Sequence, residues 1–205
     1  MRRRCRLSRG EEVRREGERR NVRVSRYAGA LSDTAILQLF ETLVDDALRA
    51  RVHEACSEKR WYFGNYSVGA ADPGFWKMDL DGVPAIDALW TASRERCEAL
   101  SNGPLAVVRQ YANGHTYGLG GQAHADDPRP GHFTLLYYPM PEWDPAWGGE
   151  TVFHHATGEI ALSVLPKPGR AVFFDSRILH AGRAPQRSYG GLRVTVALKL
   201  GPRAL

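Results

Sequence analysis

The spacing of apolar residues predicts helices in the first half of the chain. Across residues 35–53, apolar side chains recur at helical intervals. Ser32 or Asp33, which precede this stretch, is a suitable N-cap. Pro84 stands where the first turn of a helix tolerates proline, and the pattern predicts a second helix from there to about Leu100. Two amphipathic helices are therefore expected before residue 101.

Strand-like segments fill the rest of the chain. Trp61–Tyr66 and Trp76–Leu80 have the composition of short strands, and from Leu105 onward such segments follow one another, separated by Gly, Pro and Asp. The later segments cover residues 105–111, 123–126, 132–138, 150–154, 159–163, 170–175 and 192–200. Helices followed by many short strands predict an α+β, mainly β fold, in which N-terminal helices buttress a curved β-sandwich.

The positive charge of the chain is concentrated at one end. The chain has 205 residues and a net charge of +5, but residues 1–26 alone hold 11 Arg and 4 Glu, a net charge of +7. The remainder is therefore slightly acidic, at −2. We predict a disordered Arg-rich tail over residues 1–26 and one folded domain over residues 27–205. Nothing in the domain indicates a nucleic-acid surface.

Cysteine usage and hydropathy bear on where the protein works. Cys5, Cys56 and Cys97 are widely spaced, odd in number and without a CxxC pattern, which favours a reducing cytoplasm. No apolar run approaches the roughly 18 residues that a membrane-spanning helix needs. We expect a cytoplasmic monomer or homodimer that acts on a small molecule and binds neither membrane nor nucleic acid.

The pattern with the most chemical content is His124-Ala125-Asp126 with His180 downstream. Residues i and i+2 of a strand point to the same side, so His124 and Asp126 can enter one pocket without backbone distortion. Two imidazoles and one carboxylate are the ligand set that holds non-haem Fe(II) with open coordination positions. His180 is preferred as the third ligand because it follows a strand, and the histidines that compete with it are His132, His154 and His155.

Several segments beside this pattern occur together in an order that resembles a known family. They are Val108–Tyr117, His124–Asp126, Thr134–Tyr138, Gly148–Phe153, Pro166–Phe174, His180 and Arg193. As a set they are similar to the double-stranded β-helix of the Fe(II)/2-oxoglutarate dioxygenases, in particular the prolyl-4-hydroxylase-like branch. The resemblance covers about residues 105–200, almost half the chain, and none of its segments is specific alone.

The resemblance implies a role for each matching residue. Fe(II) would bind His124, Asp126 and His180. Arg193 would form a two-point salt bridge with the distal carboxylate of 2-oxoglutarate, since a planar guanidinium matches a carboxylate. The other candidates for the co-substrate pocket are Tyr138, Tyr111 and Thr195.

Two insertions distinguish this chain from the usual pattern of the branch. Six residues, Gly118–Ala123, separate Tyr117 from the His-x-Asp pattern, and the segment from His180 to Arg193 is a few residues longer than usual. Both flank the predicted iron site, so we expect a mobile entrance or lid there. Lys199 shares a strand face with Arg193 and is an alternative anchor for the co-substrate.

The expected reaction uses Fe(II), 2-oxoglutarate and O2 and releases succinate and CO2. The resemblance implies hydroxylation of an unactivated C–H bond, and a small metabolite is the preferred substrate. The presence of Asp126 disfavours halogenation, which needs a halide in place of the carboxylate. Three alternatives remain open at this stage: a prolyl-type hydroxylase of protein side chains, a redox-inert cupin-like metal enzyme, and a catalytically inactive binding module.

Overall fold

A computed structural model describes residues 21–23, 35–58, 60–69 and 73–203 of the chain. Within them the helices are α1 (Asp46–Cys56) and α2 (Pro84–Ser101). The strands there are β1 (Asn21–Arg23), β2 (Leu37–Phe40), β3 (Tyr62–Asn65), β4 (Phe75–Asp79), β5 (Leu105–His115), β6 (Phe133–Tyr137), β7 (Thr151–His154), β8 (Ile160–Val164), β9 (Ala171–Asp175), β10 (His180–Gly182) and β11 (Arg193–Pro202).

The strands form two antiparallel sheets. The larger has the order β1-β2-β9-β6-β11-β5-β4-β3, and the smaller has the order β10-β7-β8. Phe153 and Val164 of the small sheet pack with Leu136 and Phe174 of the large one in a single apolar cluster, so the two sheets face each other. The prediction of a mainly β, double-stranded β-helix fold with two supporting helices is confirmed.

The two faces of the large sheet have different partners. Along β11, Val194, Val196 and Leu198 point to one face and pack in a core that also contains Ile86 and Leu89 of α2. The alternate residues of β11 point to the small sheet, because side chains of a strand alternate between its faces. The helices therefore fill one side of the sheet and leave the other side free to form a polar cavity.

The predicted helix over residues 35–53 was wrong in its first half. Leu37–Phe40 forms strand β2, which pairs with β9 in the register Leu37↔Phe174 and Phe40↔Ala171. The helix begins only at Asp46, where the Asp45 carboxylate caps it by accepting a hydrogen bond from the Leu48 amide at 2.8 Å. The apolar spacing fits both structures, and pairing with β9 decided between them; Ser32 and Asp33 lie outside the described residues.

Most other sequence-based elements are confirmed within a few residues. The exception is residues 123–126, where the structure has only a single bridge between His124 and His180. Of the tail over residues 1–26, the structure describes residues 21–23 alone, which pair with β2 as an edge strand. Disorder in the rest of that tail lies outside the described residues and stays a prediction.

Two further observations concern the environment of the protein. Cys56 and Cys97 are free, buried thiols, and burial raises the pKa of each to about 12. Among the described residues, neither helix is both long and apolar enough to cross a membrane.

Candidate active site

The register of the large sheet brings the predicted site residues to one face. Arg193 pairs with His115 of β5, and Lys199 pairs with Arg109 of β5 on one side and with Thr134 of β6 on the other. Residues two apart on these strands share a face, so this face of β11 also carries Thr195. The cavity that results lies between the two sheets.

His124, Asp126 and His180 converge at one end of this cavity. The backbones of His124 and His180 exchange two hydrogen bonds of 2.9 Å, which places the two histidines directly opposite each other. The amide of Asp126 donates to the carbonyl of Ser176 at 2.8 Å and so fixes the third residue. One potential ligand atom from each of the three lies within 4.8 Å of the others.

The histidine tautomers are set by backbone carbonyls. Nδ1 of His124 lies 2.9 Å from the carbonyl oxygen of Gln122, and Nδ1 of His180 lies 2.9 Å from that of Ile178. A proton on each Nδ1 is donated there, which leaves the lone pair of each Nε2 facing Asp126 at 3.4 and 3.5 Å. Burial lowers the pKa of His180 to about 4, so its Nε2 is free of a proton at neutral pH.

Asp126 is held as a carboxylate by its neighbours. The hydroxyl of Thr134 donates to Oδ2 at 2.6 Å, and the ammonium group of Lys199 contacts the same oxygen. Although burial acts to raise it, the positive charge of Lys199 keeps the pKa of Asp126 well below its ordinary value. Two imidazole lone pairs and an ionised carboxylate in so small a space fit a divalent cation.

Arg193 lies at the other end of the cavity and is 1% exposed. It donates from Nε to the carbonyl of Gly149 at 2.6 Å, from one terminal nitrogen to Thr151 Oγ1 at 2.9 Å, and from the other to Nδ1 of His115 at 3.2 Å. Burial and the charge of Arg193 lower the pKa of His115 well below its usual value, so His115 accepts as a neutral imidazole.

No acidic residue that the structure describes forms an ion pair with Arg193. A buried charge without a counter-ion is costly, and a bound carboxylate would remove that cost. The position of Arg193 suits an anionic ligand that extends from the three converging residues toward its guanidinium group.

Of the remaining predicted co-substrate residues, two line this cavity and one lies behind its wall. Tyr138 is fully buried and donates to Thr151 Oγ1 at 2.7 Å, with the Arg193 guanidinium 5.8 Å from its ring centre. Tyr111 and Thr195 line the cavity wall. Six of the seven predicted site residues thus line one cavity, and the seventh, Tyr138, lies behind it and contacts it through Thr151.

Sequence reasoning missed the partners that hold Arg193. His115 was detectable in principle, because the two-residue alternation from Tyr111 places it on the same face of β5. Thr151 carried no comparable signal, since only the packing of the small sheet on the large one brings it to Tyr138 and Arg193. Lys199 was noted as an alternative anchor, but the contacts of Lys199 and Thr134 with Asp126 were not foreseen.

The glycine-rich insertion packs against the site instead of standing apart from it. The amide of Gly121 donates to the carbonyl of Gly182 at 2.9 Å. A Cβ atom on Gly120 would lie 2.7 Å from the amide nitrogen of Ala184, so only glycine permits this approach. Tyr117, in contrast, is 60% exposed and lies away from the cavity.

Two adjoining cavities share His124, Asp126, Tyr111 and Lys199. The inner cavity extends from them to Arg193, and the outer pocket extends to the surface. The outer pocket is lined by Asn65, Tyr66, Ser67, Phe75, Val108, Arg109, Tyr111, Asn113, His124, Ala125, Asp126, Asp127, His132, Ser176, Lys199 and Leu200. This arrangement can hold one ligand next to a metal and present a second from the open side.

Comparison with known proteins agrees with this geometry. The sequence profile of the 2OG-Fe(II) oxygenase superfamily matches residues 108–198, the segment that carries the three converging residues and Arg193. No curated protein gives a significant match to the chain.

Solved structures share the fold at low sequence identity. A Pseudomonas putida prolyl-4-hydroxylase aligns with a TM-score of 0.64 and 16% identity over 82% of this chain and 92% of its own. A 2OG-Fe(II) oxygenase family oxidoreductase from Burkholderia pseudomallei aligns with a TM-score of 0.65 and 13% identity over 91% of this chain and 92% of its own. SnoK, an alpha-ketoglutarate-dependent carbocyclase of nogalamycin biosynthesis, aligns with a TM-score of 0.65 and 12% identity over 87% of this chain and 82% of its own.

Proposed function

We propose that the chain is a 2-oxoglutarate-dependent dioxygenase of the 2OG-Fe(II) oxygenase superfamily, and that it hydroxylates an unactivated C–H bond of a small metabolite. Its cofactor is Fe(II), and its co-substrates are 2-oxoglutarate and O2. The proposed residues are His124, Asp126 and His180 for the metal and Arg193 for 2-oxoglutarate. When bound, ferrous iron supplies the activation of O2 that is coupled to decarboxylation of 2-oxoglutarate.

One observation carries this proposal: three side chains that could hold a metal ion line the same cavity as a buried guanidinium that forms no ion pair with a described acidic residue. In our proposal, Arg193 binds the distal carboxylate of 2-oxoglutarate, Thr195 lines that end of the pocket, and Tyr138 supports it through its hydrogen bond to Thr151. Thr134 and Lys199 orient Asp126, while the carbonyls behind the histidines keep each Nε2 available. The protein thus supplies binding, orientation and a site with little water.

A small substrate is supported by the outer pocket rather than by the fold. Structures of this fold include a prolyl-4-hydroxylase and an enzyme of nogalamycin biosynthesis, so the architecture does not choose between protein and metabolite. The pocket is lined by polar and charged side chains beside the three converging residues. We further propose a cytoplasmic protein, supported by the free thiols of Cys56 and Cys97.

The test is succinate formation by the purified protein with Fe(II), 2-oxoglutarate and O2. We expect activity that disappears in His180→Ala and persists in His155→Ala, a histidine outside both cavities. Adding the small-molecule fraction of a cell extract should raise the rate, and mass spectrometry should find a product that has gained one oxygen atom. Stimulation by the protein fraction alone would overturn the small-metabolite proposal, and absence of succinate would overturn the oxygenase site.

A further inference from the structure

We propose that Arg109, supported by Lys199, forms an anion-binding subsite in the outer pocket, and that the substrate therefore carries a carboxylate. The inference rests on the proposed function, because this pocket is where a substrate would approach His124 and Asp126. It concerns the substrate and not 2-oxoglutarate, since Arg193 lines the inner cavity and not the outer pocket, whereas Arg109 lines the outer pocket and not the inner cavity.

The sheet places two cations side by side at this pocket. Arg109 of β5 and Lys199 of β11 are register partners, so their side chains leave the same face of neighbouring strands. Like charges in directly opposed positions destabilise a sheet unless something compensates them. Arg109 is exposed and Lys199 is held by Asp126, so the pair leaves the positive charge of Arg109 at the pocket mouth, where an anionic ligand can meet it.

A third cation adds to the positive potential around Tyr111. The guanidinium carbon of Arg109 lies 4.7 Å from the centre of the Tyr111 ring. The Nζ atom of Lys77 lies 5.3 Å from the same ring centre, and that of Lys199 lies 5.7 Å from it. A ring face attracts cations, but one ring does not neutralise three of them. The charge at the pocket mouth depends on which of these cations has an acidic partner.

Of these three cations, Arg109 alone forms no direct ion pair with an acidic side chain that the structure describes, and its charge acts on Asp79 without a hydrogen bond between them. Lys77 is paired with Asp79 at 2.5 Å and also donates to the hydroxyl of Tyr62. Lys199 contacts Asp126. Arg109 forms no ion pair or hydrogen bond with an acidic side chain in the described part of the chain, and its contact is with the Tyr111 ring.

The geometry of Arg109 suits a carboxylate. Stacking on Tyr111 restrains the guanidinium, which lowers the entropy lost when it binds a planar anion through two hydrogen bonds. One uncompensated positive charge matches a monoanion better than a phosphate dianion. The other lining residues include the amides of Asn65 and Asn113 and the aromatic rings of Tyr66 and Phe75, which fits a small acid with polar and apolar parts.

The test uses benzoate, its neutral isostere benzamide, and phenyl phosphate as probes. Protein loaded with Fe(II) and 2-oxoglutarate without O2 is titrated with each probe by calorimetry, so that 2-oxoglutarate keeps the probes away from Arg193. We expect benzoate to bind about tenfold more tightly than benzamide, as for one charge-assisted contact. Arg109→Gln should abolish the difference, Arg109→Lys should restore part of it, and Arg51→Gln on helix α1, which lines neither cavity, should leave it unchanged.

The outcomes separate this inference from the proposed function. Failure of the wild-type protein to bind Fe(II) and 2-oxoglutarate would overturn the proposed function before any probe is added. Loaded protein that binds benzoate and benzamide equally, or binds neither, would overturn the anion subsite alone. A preference that survives in Arg109→Gln, or tighter binding of phenyl phosphate than of benzoate, would also overturn it.

Discussion

The hydroxyl oxygen of Thr151 accepts a hydrogen bond from Tyr138 at 2.7 Å and another from Arg193 at 2.9 Å. A threonine hydroxyl has two acceptor positions and one proton. Both acceptor positions are used, so the proton is left to donate to a further acceptor in the cavity. Thr151 thus joins Arg193 in presenting donors to an anionic ligand.

Thr151→Val removes this shared acceptor without changing the shape of the side chain. We expect the Kd for 2-oxoglutarate to rise by about tenfold or more, since hydrogen bonds to charged groups contribute about 1.5–3 kcal/mol. Thr151→Ser keeps the hydroxyl and should bind 2-oxoglutarate nearly as well as the wild-type protein. Calorimetric titration in the presence of Fe(II) without O2 measures both values, and equal weakening in the two variants would contradict the role of the hydroxyl.

The burial of His115 makes stability depend on pH. Its pKa in the folded protein lies well below the value of about 6.5 in the unfolded chain, so protons bind preferentially to the unfolded state. The contribution of neutral His115 to the free energy of unfolding is therefore complete above about pH 6.5. As the pH falls below that value, this contribution is lost by about 1.4 kcal/mol per pH unit.

His115→Asn tests this dependence, because asparagine offers Arg193 an oxygen near the place of Nδ1 and does not titrate. Urea denaturation between pH 5 and 7.5 (about one unit either side of the unfolded pKa) should give a smaller loss of the free energy of unfolding in the variant. The contributions of the other histidines to this pH dependence are the same in both proteins, so they cancel when the two profiles are subtracted. Parallel pH profiles would show that His115 does not stay neutral in the folded state.

Lys199→Met should weaken the apo protein and strengthen metal binding. Without Lys199, the buried carboxylate of Asp126 keeps only its hydrogen bond from Thr134, and breaking a buried ion pair costs about 3 kcal/mol. A divalent cation would then restore the missing charge and would no longer be repelled by an adjacent ammonium group.

Thermal denaturation with and without Fe(II), in the absence of O2, measures this effect. The rise in Tm on adding metal should be larger in Lys199→Met than in the wild-type protein, and Lys199→Arg should resemble the wild type. A smaller rise in Lys199→Met would mean that the ammonium group helps to hold the metal site in place.

Gly120→Ala should destabilise the protein because its Cβ would lie 2.7 Å from the backbone of Ala184. Relief of such a clash needs a backbone shift, at a cost of about 1–3 kcal/mol in the free energy of unfolding. Gly190→Ala is the matched control, since a Cβ there meets no atom within 4 Å. Equal stability of the two variants would show that the insertion is not packed against residues 182–184.

The sequence was sufficient for the later strands and for the three converging residues. Alternation along β11 is a local pattern, so Arg193 and Thr195 could be placed on one face from the sequence alone. His124 and Asp126 were identified by their spacing, although the structure has an isolated bridge and not a strand there. Pairing of His124 with His180 brings the third residue to the same place.

What the sequence could not supply depends on contacts between distant segments. The apolar residues from Leu37 to Phe40 fit a helix as well as a strand, and only the free edge of β9 selects the strand. In the same way, Thr151 acquires its role only when the small sheet packs on the large one. The approach of Lys199 to Asp126 likewise needs the bridge between His124 and His180 next to β11.

The most direct test is a crystal structure of the protein with Fe(II) and 2-oxoglutarate, obtained without O2, with the metal located by anomalous scattering at the iron edge. We expect iron bound to Nε2 of His124, a carboxylate oxygen of Asp126 and Nε2 of His180, and the distal carboxylate of 2-oxoglutarate on Arg193. Iron bound elsewhere, or a distal carboxylate that meets Lys199 instead of Arg193, would contradict the proposed site.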